Sequence, residues 1–252
     1  MINVAYKTNE TNSSFDLNNY DFMILSMKSV VITGSEGFVG LELTKYFLRK
    51  KYRVSRLDIK LGHDLSDEDF VKRWFKKNKV KCLINCFAIN DHVMGNNQKR
   101  NSLYDISLEK ITKYFDVNLT SLFSVCREFS KSVKNGAIVN FSSYLGIVSA
   151  RPDLYDGYHK DIGYCVSKSG VISLTKYLAV HLAPEIRVNC ISPGGILSNQ
   201  SKKFIKKYSE LTPMKRMLKV EELNELVEYL VRDNSKYVTG SNFIVDGGYT
   251  SW

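Results

Sequence analysis

The chain has 252 residues, enough for one large domain or two small ones, and its 44% hydrophobic content is ordinary for a globular protein with a substantial core. No apolar run approaches the roughly 18 residues that a membrane span takes, and the first 27 residues lack the charged start and apolar middle of a secretory signal, so the cytoplasm is the expected location and no membrane partner is expected. The net charge of +10 sits on helix ends and outer helix faces (Arg49, Lys50, Lys51 and Arg53; Lys72, Arg73, Lys76 and Lys77), which argues against nucleic-acid binding and leaves attraction of an anionic cofactor or substrate as its reading.

From Lys28 onward, short apolar runs alternate with amphipathic stretches. Ser29–Thr33 reads as a strand, followed by a glycine-rich turn and a helix to about Lys50. Arg53–Leu57 is a second strand. Asp67–Asn78 spaces Phe70, Val71, Trp74 and Phe75 as a helix does. Val80–Ala88 reads as a buried strand, and helices follow at Leu108–Phe115 and Leu119–Val133. Ala137–Ser142 is a strand. Tyr164–Leu182 is a long helix with Val171, Leu174, Leu178 and Leu182 on one face, and Ile186–Ile191, Glu221–Val231 and Asn242–Val245 complete a strand–helix–strand ending. Such alternation predicts an α/β fold with a parallel sheet covered on both faces. The segment before Lys28 is rich in Asn, Ser and Thr without periodicity, so residues 1–27 read as a loose N-terminal extension. Met27 stands directly before Lys28, and translation starting there is one reading of that extension. The five cysteines form no CxxC pair and the four histidines are scattered, which predicts a reducing compartment and no metal site.

Thr33-Gly34-Ser35-Glu36-Gly37-Phe38-Val39-Gly40 follows the first strand and opens a helix. A dinucleotide needs this arrangement, because backbone must approach the pyrophosphate and the helix N-terminus supplies N–H groups and a positive dipole end. Asp58 ends the second strand, 18 residues beyond Gly40. A carboxylate there accepts hydrogen bonds from a ribose 2′-OH and repels a 2′-phosphate, so NAD is expected over NADP, although Arg56 and Lys60 are near. A surface aspartate capping a loop is the alternative.

Tyr164 and Lys168 are one helical turn apart and share a face. A phenol is a poor acid at neutral pH, and an ammonium beside it stabilises the phenolate and draws the value down. With Thr33–Gly40, Asp64-Leu65, Asn85–Ile89, Asn118, Phe141-Ser142-Ser143, Tyr164–Lys168, Pro193-Gly194-Gly195 and Asp246-Gly247-Gly248 all in order, the chain from Lys28 to about Tyr249 resembles the short-chain dehydrogenase/reductase family.

The resemblance implies a single Rossmann-type, doubly wound domain over residues 28–252 with a mainly seven-stranded parallel sheet. It implies an oxidoreductase in which Tyr164 exchanges the proton, Lys168 holds the nicotinamide ribose, Ser143 (or Ser142) binds the substrate oxygen and Asn118 holds a relay water. Gly34, Ser35, Gly37, Phe38, Val39, Gly40, Asp58, Asp64, Leu65, Asn85, Cys86, Phe87, Ala88, Lys168, Pro193, Gly194, Ile196 and Ser198 would meet the cofactor, with Ser198 at the carboxamide. It also implies a homodimer or homotetramer built through Leu119–Val133 and Tyr164–Leu182.

Three departures stand out. The glycines are spaced as in the family's sugar-nucleotide-modifying branch, the usual Asn-Asn-Ala-Gly is Asn85-Cys86-Phe87-Ala88, and 21 residues separate Ser143 from Tyr164, more than is usual. The added residues, with Arg151, Asp153, Tyr155, Tyr158, His159 and Lys160, fall beside the substrate and suit a hydroxylated ligand. Ile196–Lys219 is rich in lysine and reads either as a lobe that attracts a phosphate, nucleotide or carboxylate or as a solvated helix. Tyr164–Ile196 resembles a subgroup that modifies bacterial surface sugars and flagellin, which implies a small-molecule substrate that is a nucleotide-linked or surface-polysaccharide sugar. A 3-oxoacyl-carrier-protein reductase and a non-catalytic dinucleotide sensor are the competing readings.

Overall fold

The computed structural model describes residues 28–90, 104, 106–155 and 160–252. Tyr158, His159 and the N-terminal extension lie outside the described residues. Six strands form one parallel sheet: β1 (Ser29–Thr33), β2 (Arg53–Leu57), β3 (Cys82–Asn85), β4 (Gly136–Phe141), β5 (Ile186–Pro193) and β6 (Asn242–Val245), in the order β2-β1-β3-β4-β5-β6. The helices are α1 (Phe38–Arg49), α2 (Glu68–Lys77), α3 (Leu108–Phe115), α4 (Leu122–Ser132), α5 (Ile162–Leu182), α6 (Lys202–Leu211) and α7 (Asn224–Val231).

Alternate side chains of each strand serve two cores, as strand geometry requires. Val31, Leu83, Ile138, Val188 and Cys190 pack under α2, α4 and α5 through Phe75, Phe129, Val171 and Leu178. Val30, Ile32, Ile84, Val139 and Ile191 pack on the opposite side under α1 and α7 through Leu43, Phe47, Val227 and Leu230. This doubly wound plan matches the expectation from the sequence.

The seventh strand is not among the described residues. The chain leaves β2 at Leu57 and enters α2, the return crossover, at Glu68. A parallel crossover needs about a dozen residues before the new strand begins, and this stretch instead holds a 3-10 turn (Ile59–Leu61) capped by Asp58. Among the described residues β2 is therefore the sheet edge. The third strand is also shorter than Val80–Ala88: its ladder with β1 closes at Thr33↔Asn85, so Cys86–Ala88 have no strand beside them on that side and leave the sheet. The predicted break between α3 and α4 is a π-helical turn, Asp116–Ser121, that carries Asn118.

A polar network crosses the sheet at its C-terminal edge. Thr33 Oγ1 donates to Asn85 Oδ1 at 2.9 Å, Asn85 Nδ2 to Asn140 Oδ1 at 2.9 Å, and Asn140 Nδ2 to Thr175 Oγ1 of α5 at 3.0 Å. All four side chains are buried, so these bonds replace the water each group would lose on folding.

Candidate active site

The glycine turn is built by close backbone packing. Gly34 has φ +67°, and a Cβ there would come within 2.5 Å of Phe87 N. A Cβ on Gly40 would stand 2.1 Å from Gly34 O, so only glycine lets α1 lie against the turn. Gly37 caps α1 without a side-chain hydrogen bond, and the first turn, beginning with exposed Phe38 and half-buried Val39, carries no acidic residue. A dinucleotide pyrophosphate fits that end: it offers backbone donors and the positive pole of a 12-residue helix whose own first turn carries no carboxylate. Ser35 is buried inside the turn.

Asp58 is buried and joins this turn to β2. Its Oδ2 accepts from Glu36 N and its Oδ1 from Lys60 N, each at 2.9 Å. Arg56 pairs with Glu36, so the arginine near the predicted ribose position already has a carboxylate. Asp64 is exposed and caps its own turn, accepting from Ser66 N at 2.9 Å and Ser66 Oγ at 2.6 Å; these bonds hold its carboxyl below the usual range. Leu65 beside it is buried. Asn85 spends its side chain on the inter-strand network, while Cys86 N donates to Thr33 O at 3.0 Å and Phe87 and Ala88 remain half-buried.

Four catalytic candidates converge beyond the ends of β3 and β4. Tyr164 is buried on the first turn of α5, a helix that starts two residues earlier than the sequence pattern suggested because Asp161 caps it by accepting from Gly163 N at 2.8 Å. Its phenol is hydrogen-bonded to Ser143. The two serines part company here: Ser142 Oγ donates to the backbone oxygen of Lys168 at 2.6 Å, which leaves Ser143 as the one beside the phenol. Lys168 is buried, with Nζ donating to Phe141 O at 2.9 Å and lying 5.7 Å from the Tyr164 ring centroid. Burial lowers the Lys168 ammonium from 10.5 to about 8.

The expected acidification of Tyr164 by Lys168 does not appear in this structure. Burial pushes the phenol up, against the downward pull of the Ser143 hydrogen bond, because a dry phenolate is costly and the ammonium is engaged by a carbonyl. Asn118 spends its side chain on pinning the loop after β3: Oδ1 accepts from Ile89 N at 2.9 Å, and Nδ2 donates to Ile89 O at 3.2 Å and to Ser167 Oγ at 3.0 Å.

Pro193 closes β5, and Gly194 N donates to Val245 O at 2.9 Å. Ile196 is bridged to Leu218, and exposed Ser198 has its N–H on Gln200 Oε1 at 2.7 Å. The sequence pattern did not reveal that Tyr208 of α6 accepts from Gly195 N at 2.6 Å and stacks on Tyr249, ring centroids 5.0 Å apart. Tyr144 meets both rings edge-on, and Tyr155 packs on Phe204, so tyrosines from the β4–α5 connection, α6 and the C-terminal segment gather beside Tyr164. The abundance of tyrosine, 15 in all, was the only hint of that cluster. Lys160, placed beside the pocket by its sequence position, has Nζ 4.6 Å from the Tyr164 ring centroid.

A family model described as enoyl-(acyl carrier protein) reductase matches residues 48–250. The chain is 28% identical to the post-translational flagellin modification protein A of Campylobacter coli, over 90% of this chain and 99% of that one. It is 30% identical to a 3-oxoacyl-[acyl-carrier-protein] reductase of Buchnera aphidicola, over 89% of this chain and 88% of the relative. Among solved structures, a short-chain dehydrogenase from Leptospira borgpetersenii with bound NAD+ superposes with a TM-score of 0.78 at 30% identity, covering 97% of this chain and all of that chain (100%).

Proposed function

This chain belongs to the short-chain dehydrogenase/reductase family and is a nicotinamide-dependent oxidoreductase of CH–OH and C=O groups, and on that premise we propose that Tyr164 is its proton donor and acceptor, with Ser143 orienting the substrate oxygen. The observation that carries this assignment is the buried phenol hydrogen-bonded to Ser143 with the Lys168 ammonium on the same helix face. The dinucleotide, when bound, supplies or accepts the hydride. Ser143 and Tyr164 then present hydrogen bonds to one oxygen, Lys168 holds the nicotinamide ribose, and Asn118 fixes the loop that shapes this corner. Replacing Tyr164 with Phe should cut turnover by about 10²–10⁴-fold while leaving NADH binding, read by its fluorescence, near wild type. Turnover that survives the change sinks the assignment.

For the cofactor, Gly34, Ser35, Gly37, Phe38, Val39 and Gly40 would cradle the pyrophosphate, Asp58 the adenosine ribose, Asp64 and Leu65 the adenine, Asn85–Ala88 the inner wall, and Pro193, Gly194, Ile196 and Ser198 the carboxamide end. NAD is favoured over NADP. The support is electrostatic: Asp58 and Glu36 lie together at the ribose corner, and Arg56 is paired to Glu36. A higher kcat/KM with NADPH than with NADH would reverse this choice.

The substrate we favour is a nucleotide-linked or surface-polysaccharide sugar. Support comes from the full-length likeness to a flagellin modification protein and from the tyrosine cluster, whose rings suit a hydroxylated ligand. The Buchnera relative and the basic face of α6 (Lys202, Lys203, Lys206, Lys207) favour the second reading, an acyl thioester on an acidic carrier. An NADH-coupled screen of sugar nucleotides against acyl thioesters separates the two. A cytoplasmic location is supported by the five free thiols. A homodimer or homotetramer through α4 and α5 is supported by Ile162, Val166, Tyr177 and Val180, an exposed apolar stripe along α5, with Phe123 exposed on α4. Sedimentation equilibrium reads the assembly directly, and a monomer at micromolar concentration would exclude it.

A further inference from the structure

Two ammonium groups attend the Tyr164 ring. Lys168 Nζ is 5.7 Å from its centroid, and Lys160 Nζ, from the lengthened connection between β4 and α5, is closer at 4.6 Å. Lys160 also donates to the side-chain oxygen of Asn90, which ties the ammonium to the loop that follows β3. A cation within about 6 Å of a ring centroid is attracted to the ring face. The attraction grows when the phenol ionises, because a full negative charge then faces the ammonium in a dry site.

We propose that Lys160 is a positioning residue that acts through Tyr164, stabilising its phenolate and supplying the acidification that Lys168, held by the Phe141 carbonyl, does not. The proposal rests on Tyr164 being the proton donor. In the reducing direction a hydride from the reduced dinucleotide brings its electron pair to the carbonyl carbon, and the C=O π pair moves to oxygen. That oxygen takes the Tyr164 proton, and the O–H bonding pair stays behind on the phenolate. Oxidation runs the same steps backwards, with the phenolate taking the alcohol proton.

The surroundings explain why a second cation matters. Tyr114, whose ring meets Tyr164 edge-on at 6.4 Å, and Tyr155 and Cys165 all face the phenol, and each disfavours its ionisation. Ser143 gives a hydrogen bond, and Lys168 is also held by the Phe141 carbonyl. Among the charged and titratable neighbours of Lys160 are Cys165, whose thiol it draws down, and Asp161, next in the chain, which holds Lys110 at 2.9 Å and caps α5. The contact is local in sequence: Lys160 sits four residues before Tyr164, just ahead of the first turn of α5.

The test is an ultraviolet tyrosinate titration of the full-length protein saturated with NAD+, using the difference against Tyr164→Phe to isolate this ring. Lys160→Met should raise the Tyr164 midpoint by about one pH unit, and Lys160→Arg should keep it near wild type. Lys160→Gln, with NAD+ binding and circular dichroism as checks on folding, provides a second neutral variant that should shift in the same sense. Equal midpoints in wild type and the neutral variants overturn the proposal. A Tyr164 signal absent from wild type throughout the folded pH range overturns it too, since no ammonium then acidifies the ring. No substrate enters the measurement. Its failure is therefore distinct from failure of the hydride-transfer assignment, which turnover by Tyr164→Phe would reveal.

Discussion

Replacing Lys168 with Met should make the protein more stable at neutral pH while disabling it. The ammonium is buried, and its burial lowers it from 10.5 to about 8, which corresponds to about 3 kcal/mol of penalty for carrying the charge in the folded state. Against this, the variant loses the bond from the charged Nζ to Phe141 O, 2.9 Å long and worth about 1.5–3 kcal/mol. A methionine of similar length therefore gains up to about 1.5 kcal/mol at pH 7. The sign follows from linkage. Between about 8 and 10.5 the unfolded chain binds the proton and the folded chain releases it, so wild-type stability rises with pH through that window. Below the window both states are charged and the whole penalty stands; above it both are neutral and the penalty is gone. Urea unfolding of both proteins at intervals from pH 7 to 10 should show the methionine variant ahead at pH 7 and its lead shrinking as pH climbs. Turnover should fall by at least about a hundredfold in the same protein. A variant that is less stable at pH 7, or a stability difference indifferent to pH, would refute the reasoning.

Two further perturbations probe the frame around the site. Gly40→Ala drives a Cβ to within 2.1 Å of Gly34 O, a backbone atom that cannot step aside; it should cost about 1–3 kcal/mol and abolish NADH binding as read by fluorescence, so wild-type affinity would contradict the packing described. Tyr208→Phe removes the acceptor for Gly195 N–H and should cost about 1–2 kcal/mol, a drop of several degrees in Tm by calorimetry, whereas an unchanged Tm would mean water replaces the phenol without loss.

The fold was legible where a single element carries its own signal. Buried strands such as Ser29–Thr33 and Gly136–Phe141 are built around short apolar runs (Val30–Ile32 and Ala137–Val139), and α2 shows its core face in Val71 and Phe75. Where a boundary depends on a partner, the pattern overran: the apolar run Val80–Ala88 continues past Asn85, but β1 ends at Thr33 and the ladder ends with it. The sheet has six strands among the described residues where the resemblance implies mainly seven, since the resemblance carries a typical sheet and the short connection between Leu57 and Glu68 decides this one. At the site, Tyr164, Lys168 and the glycine turn were readable from spacing along one helix or one turn. The choice between Ser142 and Ser143 was not, because it turns on which hydroxyl faces the backbone of α5. Nor could spacing show Tyr208 reaching Gly195 or the Lys160 ammonium lying over a ring, because each contact joins a helix to an irregular segment whose path no period predicts.

Among the described residues no strand pairs with the outer side of β2, which leaves that strand's outer row of N–H and C=O groups without a ladder partner, a template on which a foreign strand could dock. Two exposed arginines interrupt it. Arg53 bends to the Lys79 carbonyl at 3.2 Å and Arg56 to Glu36, and the strand is only five residues long. Protection from edge-to-edge aggregation thus resides in brevity and two guanidinium groups, so this margin of the molecule tolerates neutral, β-branched replacements least.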